Sequence, residues 1–262
     1  MNLSLNGKIA VVCGSTSGIG KATSLILAKR GATIILVARN KNKLDKVRSE
    51  LSTEYCQKHE IICADFNYPD RFDLIIEDFF RSFDKKIDIL INNSGGPPGG
   101  AIIDAQENEF RLAFERLLIC NQIITKKIVP IMISMKKGKI INIISMSVRQ
   151  VVKGLGVSNT IRGSVAQWAR TLALELGEFG ITVNNVLPGY TKTRRLQELA
   201  TNKAKVLNIT KKEVFEQWAM NTSLRRLGQP NEIGNVIAFL SSEASDYING
   251  FDFCVDGGWV GK

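Results

Sequence analysis

A single histidine in 262 residues leaves no second imidazole to share a metal ion. That residue, His59, sits among Gln57, Lys58 and Glu60 in a polar connection, where a solvated surface side chain is expected. The five cysteines (Cys13, Cys56, Cys63, Cys120 and Cys254) show no C-x-x-C spacing, which argues for reduced structural thiols and against a zinc site or a disulfide framework. No uninterrupted apolar run approaches the ~20 residues that cross a bilayer. The opening stretch Met1 to Lys8 lacks an apolar core of signal-peptide length, so a cytoplasmic protein with no membrane attachment is expected. Pro-, Gly- or Ser-rich spacers are missing as well. With 44% hydrophobic and 23% charged residues, the chain reads as one globular domain over 1–262 with a substantial core. No block of lysine and arginine interleaved with aromatics accompanies the formal charge of +10. The charge alone fits an acidic partner, or the Lys-, Ile- and Asn-loading of an AT-rich genome; without such a block, nucleic acid is not the expected partner.

What the chain does have is a glycine turn between a strand and a helix. Ile9-Ala10-Val11-Val12-Cys13 reads as a buried strand and Gly14-Ser15-Thr16-Ser17-Gly18-Ile19-Gly20 as a turn. Lys21 to Arg30 reads as a helix stopped by Gly31, and Thr33 to Ala38 as a second strand. Such a unit presents the first backbone N–H groups of a helix, and the favourable end of its dipole, to a phosphate. Glycines let the chain turn tightly and let a pyrophosphate approach the backbone. The spacing here, G-x-x-x-G-x-G, differs from the commoner G-x-G-x-x-G.

Strand and helix signals then alternate. Leu44, Val47, Leu51 and Tyr55 predict a helix over about 40–56. Ile61 to Ala64 reads as a strand closed by Asp65, Phe72 to Phe83 as a helix with an aromatic face, and Ile87 to Ile91 as a strand before a loop through Gly100. Gln106 to Lys136 predicts a long helix kinked at Pro130, followed by a strand from Lys139 to Ile144 that ends at Ser145. A helix over Ser158 to Leu176 and a strand over Ile181 to Val186, broken by Pro188-Gly189, come next. Residues 190–229 are polar, basic and weakly periodic; Asn231 to Leu240 is a short helix and Phe251 to Val255 the last strand. The pattern predicts an α/β fold: a single-domain, Rossmann-type doubly wound parallel sheet of about seven strands with helices on both faces. Ligands of such sheets sit outside the carboxyl ends of the strands, so the turns after Cys13, Val37, Ala64, Ile91, Ile144 and Leu187 are the candidate site.

In this order and spacing, Gly14/Gly18/Gly20, Asn92-Asn93-Ser94-Gly95, Ile181-Thr182-Val183-Asn184, Pro188-Gly189 with Thr193, and Val255-Asp256-Gly257-Gly258 resemble the short-chain dehydrogenase/reductase family over nearly the whole chain. Cys13 stands where threonine is usual. The resemblance implies a nicotinamide dinucleotide held by Gly14, Ser15, Ser17, Gly18, Ile19 and Gly20, with Asp65 and Phe66 at the adenine. It places Asn93 and Gly95 on the ribose and nicotinamide side, and Pro188, Gly189, Thr191 and Thr193 at the carboxamide and phosphate. Asp, Asn and Thr also favour turns and helix caps for local reasons, and that reading stands beside each. A homodimer or homotetramer is implied too. At the end of the second strand Ala38 occupies the expected acidic position and Arg39 follows it. A carboxylate there would bind ribose hydroxyls and repel a 2′-phosphate, whereas a guanidinium grips a phosphate through two parallel hydrogen bonds, so NADP(H) is favoured over NAD(H). The other reading of Arg39 is a solvated loop cation, like Lys41 and Lys43.

The resemblance breaks at the chemistry. The family's signature is a serine, an asparagine on the preceding long helix, and Y-x-x-x-K on the following one. Ser145 fits the serine. Counting back from Leu172 to Leu176 puts Ser158 at the tyrosine position and Arg162 at the lysine position. Counting back from Pro130 puts Leu117 at the asparagine position, with Asn121 one helical turn away. Ser158 is a far weaker acid than a phenol, and Arg162 is effectively always charged. At i, i+4 they share a helix face, where Arg162 can hold ribose hydroxyls and stabilise an alkoxide. Tyr190, Lys153 and an ordered water are the candidates for supplying the proton; lid or core packing is the other reading of Tyr190. The catalytic candidates are therefore Ser145, Ser158, Arg162 and Tyr190, in a variant resembling the 3-oxoacyl carrier-protein reductase-like branch of the family.

Residues 190–229 are expected to form a substrate lid and to be the least ordered part of the chain. Between 190 and 226, nine basic residues face three acidic ones, which fits either an anionic substrate or a solvated mobile surface. The expected function is NADP(H)-dependent interconversion of a carbonyl and an alcohol, on a small-molecule carbonyl or an acyl thioester. The alternative is a catalytically silent dinucleotide-binding protein of the same fold.

Overall fold

The computed structural model describes residues 2–83 and 85–259. Its strands are β1 (Ile9–Cys13), β2 (Thr33–Ala38), β3 (Glu60–Cys63), β4 (Ile89–Asn92), β5 (Gly138–Ile143), β6 (Ile181–Pro188) and β7 (Asp252–Val255). Its α-helices are α1 (Gly18–Lys29), α2 (Lys41–Glu50), α3 (Pro69–Arg81), α4 (Glu107–Phe114), α5 (Cys120–Met135), α6 (Gly156–Leu176), α7 (Arg194–Leu207), α8 (Lys211–Met220) and α9 (Pro230–Ser241). The seven strands pair in parallel in the order β3-β2-β1-β4-β5-β6-β7.

Strand parity builds the two apolar layers. Ala10, Val12, Ile34 and Leu36 meet α1, α2 and α9 through Leu27, Leu44 and Ile237. Their neighbours Val11, Cys13, Ile35 and Val37 point the other way, toward Phe72 of α3, Ile124 of α5 and Ala173 of α6. Chain order reverses between β1 and β4, which opens a crevice at the carboxyl ends of those two strands. Gly14 and Asn93 follow them there.

Four polar side chains run in register across the buried sheet. Asn92 Nδ2 donates to Asn142 Oδ1 at 2.9 Å, Asn142 Nδ2 to Asn185 Oδ1 at 3.1 Å, and Asn185 Nδ2 to Asp252 Oδ1 at 2.8 Å. Arg170 and Arg149 close the row on Asp252 Oδ2 at 2.5 and 3.3 Å. Buried polar groups persist when hydrogen-bonded, and this row pairs each with the next.

Four stretches depart from the sequence expectation. The second helix stops at Glu50, not near 56: Leu51 turns extended, Cys56 adopts φ +59°, and Gln57 turns inward to donate to the Ala28 carbonyl at 2.7 Å. His59 is not a solvated side chain. Its Nδ1 accepts from the Ile34 N–H and its Nε2 reaches the Ser52 carbonyl, both at 2.9 Å, which assigns the neutral Nε2–H tautomer. The long helix is interrupted at Glu115–Ile119 by a π turn, while α5 carries Pro130 in its interior. Residues 190–229, expected to be the least ordered, form α7 and α8 around a small core of their own, in which Leu196, Ala200 and Ala204 meet Val214 and Trp218. Glu107–Met135 is long and apolar enough to cross a membrane by length and composition alone, yet Ile124, Ile128 and Met132 lie buried against the sheet.

Candidate active site

The glycine turn is shaped by close approach. Gly14 and Gly18 take φ +59° and +54°, in the left-handed region. A Cβ on Gly14 would lie 2.5 Å from Asn93 Nδ2, and one on Gly20 would overlap the Gly14 carbonyl oxygen. Asn93 holds the turn from the end of β4 by donating to the carbonyls of Cys13 and Gly14 at 3.2 and 3.4 Å. Its side chain, expected on the cofactor ribose, is spent on the turn itself. Ser17 precedes α1 with an exposed hydroxyl that makes no capping bond, and the first turn of α1 carries no acidic side chain. Thr193 lies against Gly18, 3.2 Å from where a Cβ would stand, while its hydroxyl caps α7 by accepting from Leu196 N at 3.2 Å. A cradle that a Cβ would fill, next to uncapped helix N–H groups, fits the phosphates of a dinucleotide.

Other expected contacts require correction. Ser15 is fully buried and its hydroxyl donates to the Val37 carbonyl at 3.3 Å, so its side chain faces the sheet, leaving only its backbone for the turn. The Phe66 ring packs on Phe72 with centroids 4.6 Å apart, inside the core. Thr191 is buried and donates to the Gly189 carbonyl at 3.1 Å. In each case a polar or aromatic side chain found a nearer partner in the protein. Pro188 ends β6, and Gly189 passes so close to Asp256 that a Cβ would lie 2.6 Å from its Cα; both shape the site with backbone. Asp65 stays partly exposed while accepting from Asn67 N and Nδ2 at 3.0 and 2.9 Å. Arg39 is exposed at the end of β2, Ile19 is partly buried against the α1 layer, and Gly95 has open space where a side chain would be.

At the end of β5, Ser145 Oγ accepts from Ser147 N at 3.1 Å. Across from it on α6, Arg162 makes a bridge. Its Nε donates to the buried Ser158 Oγ at 3.2 Å and its Nη1 to the Ile144 carbonyl at 2.5 Å. One guanidinium thus ties the start of α6 to the residue before Ser145. Burial pushes Arg162 down to about 10, with Arg195 adding repulsion, so it remains a cation at neutral pH. Leu117 is buried among Ile144, Val157, Ile161 and Leu187; Asn121 is buried too, its Oδ1 without a hydrogen-bond partner among the described residues.

Tyr190, expected as a candidate acid, is stacked on Trp218 with ring centroids 5.0 Å apart and meets Trp259 edge-on at 6.0 Å. Burial raises its pKa above the ordinary phenol value, which makes it a weaker acid. No hydrogen bond joins it to Ser145, Ser158 or Arg162 among the described residues, so the structure shows it packed against α8. Lys153 is exposed in the connection before α6.

Two further arginines stand near the site: Arg116, which no motif marks, and Arg195, counted in the sequence only as one of the nine basic residues of 190–226. Arg116, in the π turn, is half-buried with no hydrogen-bond partner for its Nε among the described residues. Burial lowers its pKa, while Asp65 raises it and Arg39 lowers it further. Arg195, in the first turn of α7, donates through Nη2 to the Pro97 carbonyl. The signals were present: Arg195 follows the Thr193 cap by two residues, and Arg116 adjoins the expected asparagine position.

The family model described as enoyl-(acyl carrier protein) reductase matches residues 14–260. The oxidoreductase YvaG of Bacillus subtilis is 32% identical, over 99% of this chain and 98% of that protein. A chloroplastic tropinone reductase homolog of Arabidopsis thaliana is 31% identical, over 97% of this chain and 76% of that protein. The structure of L-sorbose reductase from Gluconobacter frateurii, complexed with NADPH and L-sorbose, superimposes with a TM-score of 0.91 at 29% identity, covering 100% of both chains. With its parallel sheet, its glycine turn and this likeness end to end, the chain belongs to the short-chain dehydrogenase/reductase family of oxidoreductases.

Proposed function

We propose that the protein is an NADP(H)-dependent oxidoreductase that interconverts a carbonyl and an alcohol, with a small-molecule ketone, aldehyde or acyl thioester as substrate. The Arg162 bridge to Ser158 and the Ile144 carbonyl carries this reading, because it sets a fixed cation and a buried hydroxyl beside the strand end that holds Ser145. Ser158 and Arg162 stand at the places where the family has tyrosine and lysine. The glycine turn and Ser17 would hold the pyrophosphate, and Arg39 with Arg116 behind it would face the 2′-phosphate; the NADPH in the sorbose reductase complex supports that choice. A nicotinamide held there would supply or take up the hydride.

The remaining chemistry belongs to the side chains. Ser158 Oγ accepts from a guanidinium, so its own proton is left to donate to a substrate oxygen. As negative charge develops there, the cation behind the hydroxyl polarises it and stabilises the alkoxide. Ser145, oriented by the Ser147 N–H, has its proton free in the same way. A serine hydroxyl does not ionise near neutral pH, so in this reading the proton would be drawn from solvent through these hydroxyls. Apolar side chains exposed on α4 and α6 (Leu112, Phe114 and Leu174) support self-association into a dimer or tetramer.

Consumption of NADPH across ketones, aldehydes and acyl thioesters tests the proposal, with Ser145→Ala and Ser158→Ala as loss controls and Tyr190→Phe as the variant expected to retain turnover. Tight NADPH binding with no turnover above background on any of them would leave only the silent dinucleotide-binding alternative.

A further inference from the structure

Arg162 and Arg195 come from different helices and converge on one side of Gly96. A Cβ on Gly96 would lie 3.1 Å from Arg162 Nη2 and 3.9 Å from both Nε and Nη2 of Arg195. The partners of both guanidiniums are neutral. Arg162 donates to Ser158 Oγ and the Ile144 carbonyl, and Arg195 to the Pro97 carbonyl. That leaves Arg162 Nη2 and Arg195 Nε without a hydrogen bond among the described residues, and both lie within 4 Å of the Gly96 Cβ position. No ion pair involves either arginine among the described residues, and Glu198, one turn along α7, is held by Arg194 at 2.9 Å. Burial lowers the pKa of both; Arg195 lowers that of Arg162 further, while at Arg195 the Glu198 carboxylate works in the opposite direction and Arg116 adds a second cation's repulsion. Two partly desolvated like charges facing each other are unfavourable on their own. An anion between them reverses the sign of the interaction and supplies acceptors for both free N–H groups.

We infer that this pair is the anion subsite of the substrate pocket: the substrate carries a carboxylate, which Arg162 Nη2 and Arg195 Nε hold beside Gly96 while its carbonyl faces Ser158 and Ser145. The substrate class is then an oxo acid in one direction and the corresponding hydroxy acid in the other. This rests on the oxidoreductase reading for the second half of the statement; the anion site itself does not need it. The cofactor's phosphates are the other source of negative charge in the cleft, but the glycine turn and Arg39 already meet them.

Calorimetric titration separates the possibilities. Acetoacetate and levulinate are compared with their diketone isosteres, in which a methyl ketone replaces the carboxylate, on the protein with and without saturating NADPH. The oxo acids are expected to bind at least about tenfold more tightly, the worth of a charge-assisted hydrogen bond. Arg195→Gln is expected to erase that preference while NADPH affinity stays within about threefold, and Arg195→Lys to keep part of it. No preference in the wild-type protein overturns the inference. So does a parallel loss of NADPH and oxo-acid affinity in Arg195→Gln, which would assign the pair to a cofactor phosphate. A carboxylate preference that persists in a protein unable to bind NADPH would uphold the subsite and overturn the oxidoreductase reading instead.

Discussion

Ser158 Oγ and Arg162 Nε are hydrogen-bonded at 3.2 Å, one helical turn apart on α6, with the guanidinium as donor. Because the same side chain reaches the Ile144 carbonyl, it sets both the polarity of a buried hydroxyl and the position of the strand end next to it. Arg162→Met is therefore expected to lower turnover by about a hundredfold, as removal of a transition-state donor does. It should also cost about 1–3 kcal/mol of stability, since Ser158 and a buried carbonyl both lose a partner. Arg162→Lys, with a point charge and no fork, should recover stability better than rate. The pH–rate profile checks the assignment: with Arg162 cationic up to about 10 and no phenol in the bridge, no inflection from this group is expected below about pH 9.

The glycine turn offers a sharper contrast. Gly20→Ala places a methyl group on the Gly14 carbonyl oxygen and near Asn93 Nδ2, so the turn must open. NADPH binding is expected to fall below detection in a fluorescence titration, with a loss of melting temperature. Gly95→Ala, two residues from Asn93, meets open space and should fold like the wild type. Equal tolerance of both substitutions would show that the turn is not built by close approach.

These two sites also show what a sequence makes legible. Largely apolar runs followed by small or polar residues, as at Ile9 to Gly14 and Ile140 to Ser145, locate the strands and their ends, because a strand covered on both faces is mostly apolar, even where β5 carries Asn142 inside its run. Motif position says nothing about side-chain direction: Ser15, Phe66 and Thr191 stand at positions that the resemblance places beside a cofactor, while the side chain of each bonds or packs inward. The π turn at Glu115–Ile119 has no glycine or proline to announce it. In α7 an abundance of Lys and Arg masked the every-fourth-residue stripe of Leu196, Ala200 and Ala204, and left Arg195 as one basic residue among nine. Such a cluster is assembled from β4, α6 and α7, and only the fold brings those stretches together.

The asparagine row predicts a stability effect without a ligand. Asn142→Leu leaves the Asn185 Oδ1 and the Asn92 amide each short of a partner in the middle of the sheet. At about 1–3 kcal/mol for each stranded group, a loss of about 2–6 kcal/mol is expected in urea unfolding. Asn142→Asp should be worse, since it adds a buried charge where no cation stands. A loss below about 1 kcal/mol in Asn142→Leu would mean that the row is not cooperative.

His59 makes stability depend on pH. Burial holds its pKa below the ordinary 6.5, and its Nδ1 lone pair is occupied by the Ile34 N–H. Above pH 6.5 the imidazole is neutral in folded and unfolded chains alike, and its contribution is fully present. As pH falls below that value the unfolded chain binds the proton first, so this contribution fades through the depressed folded pKa. Urea midpoints at pH 7.5 and 5.5 should therefore differ more for the wild type than for His59→Asn, which cannot titrate; equal differences would remove His59 as the cause.

The proposed preference for NADP(H) is tested at Arg39. It is exposed at the end of β2, forms no ion pair among the described residues, and has Arg116 close enough to feel its charge. A 2′-phosphate placed there meets two cations; a bare ribose hydroxyl meets none of the carboxylate that would recognise it. Arg39→Asp removes a charge-assisted contact of about 1.5–3 kcal/mol and adds repulsion, so kcat/KM for NADPH should fall by about 10–100-fold or more while that for NADH rises. The ratio of the two is the readout, because a merely misfolded variant would lose both together. Should Arg39→Ala leave the ratio unchanged while Arg116→Ala collapses it, phosphate recognition would belong to the π turn rather than to the strand end.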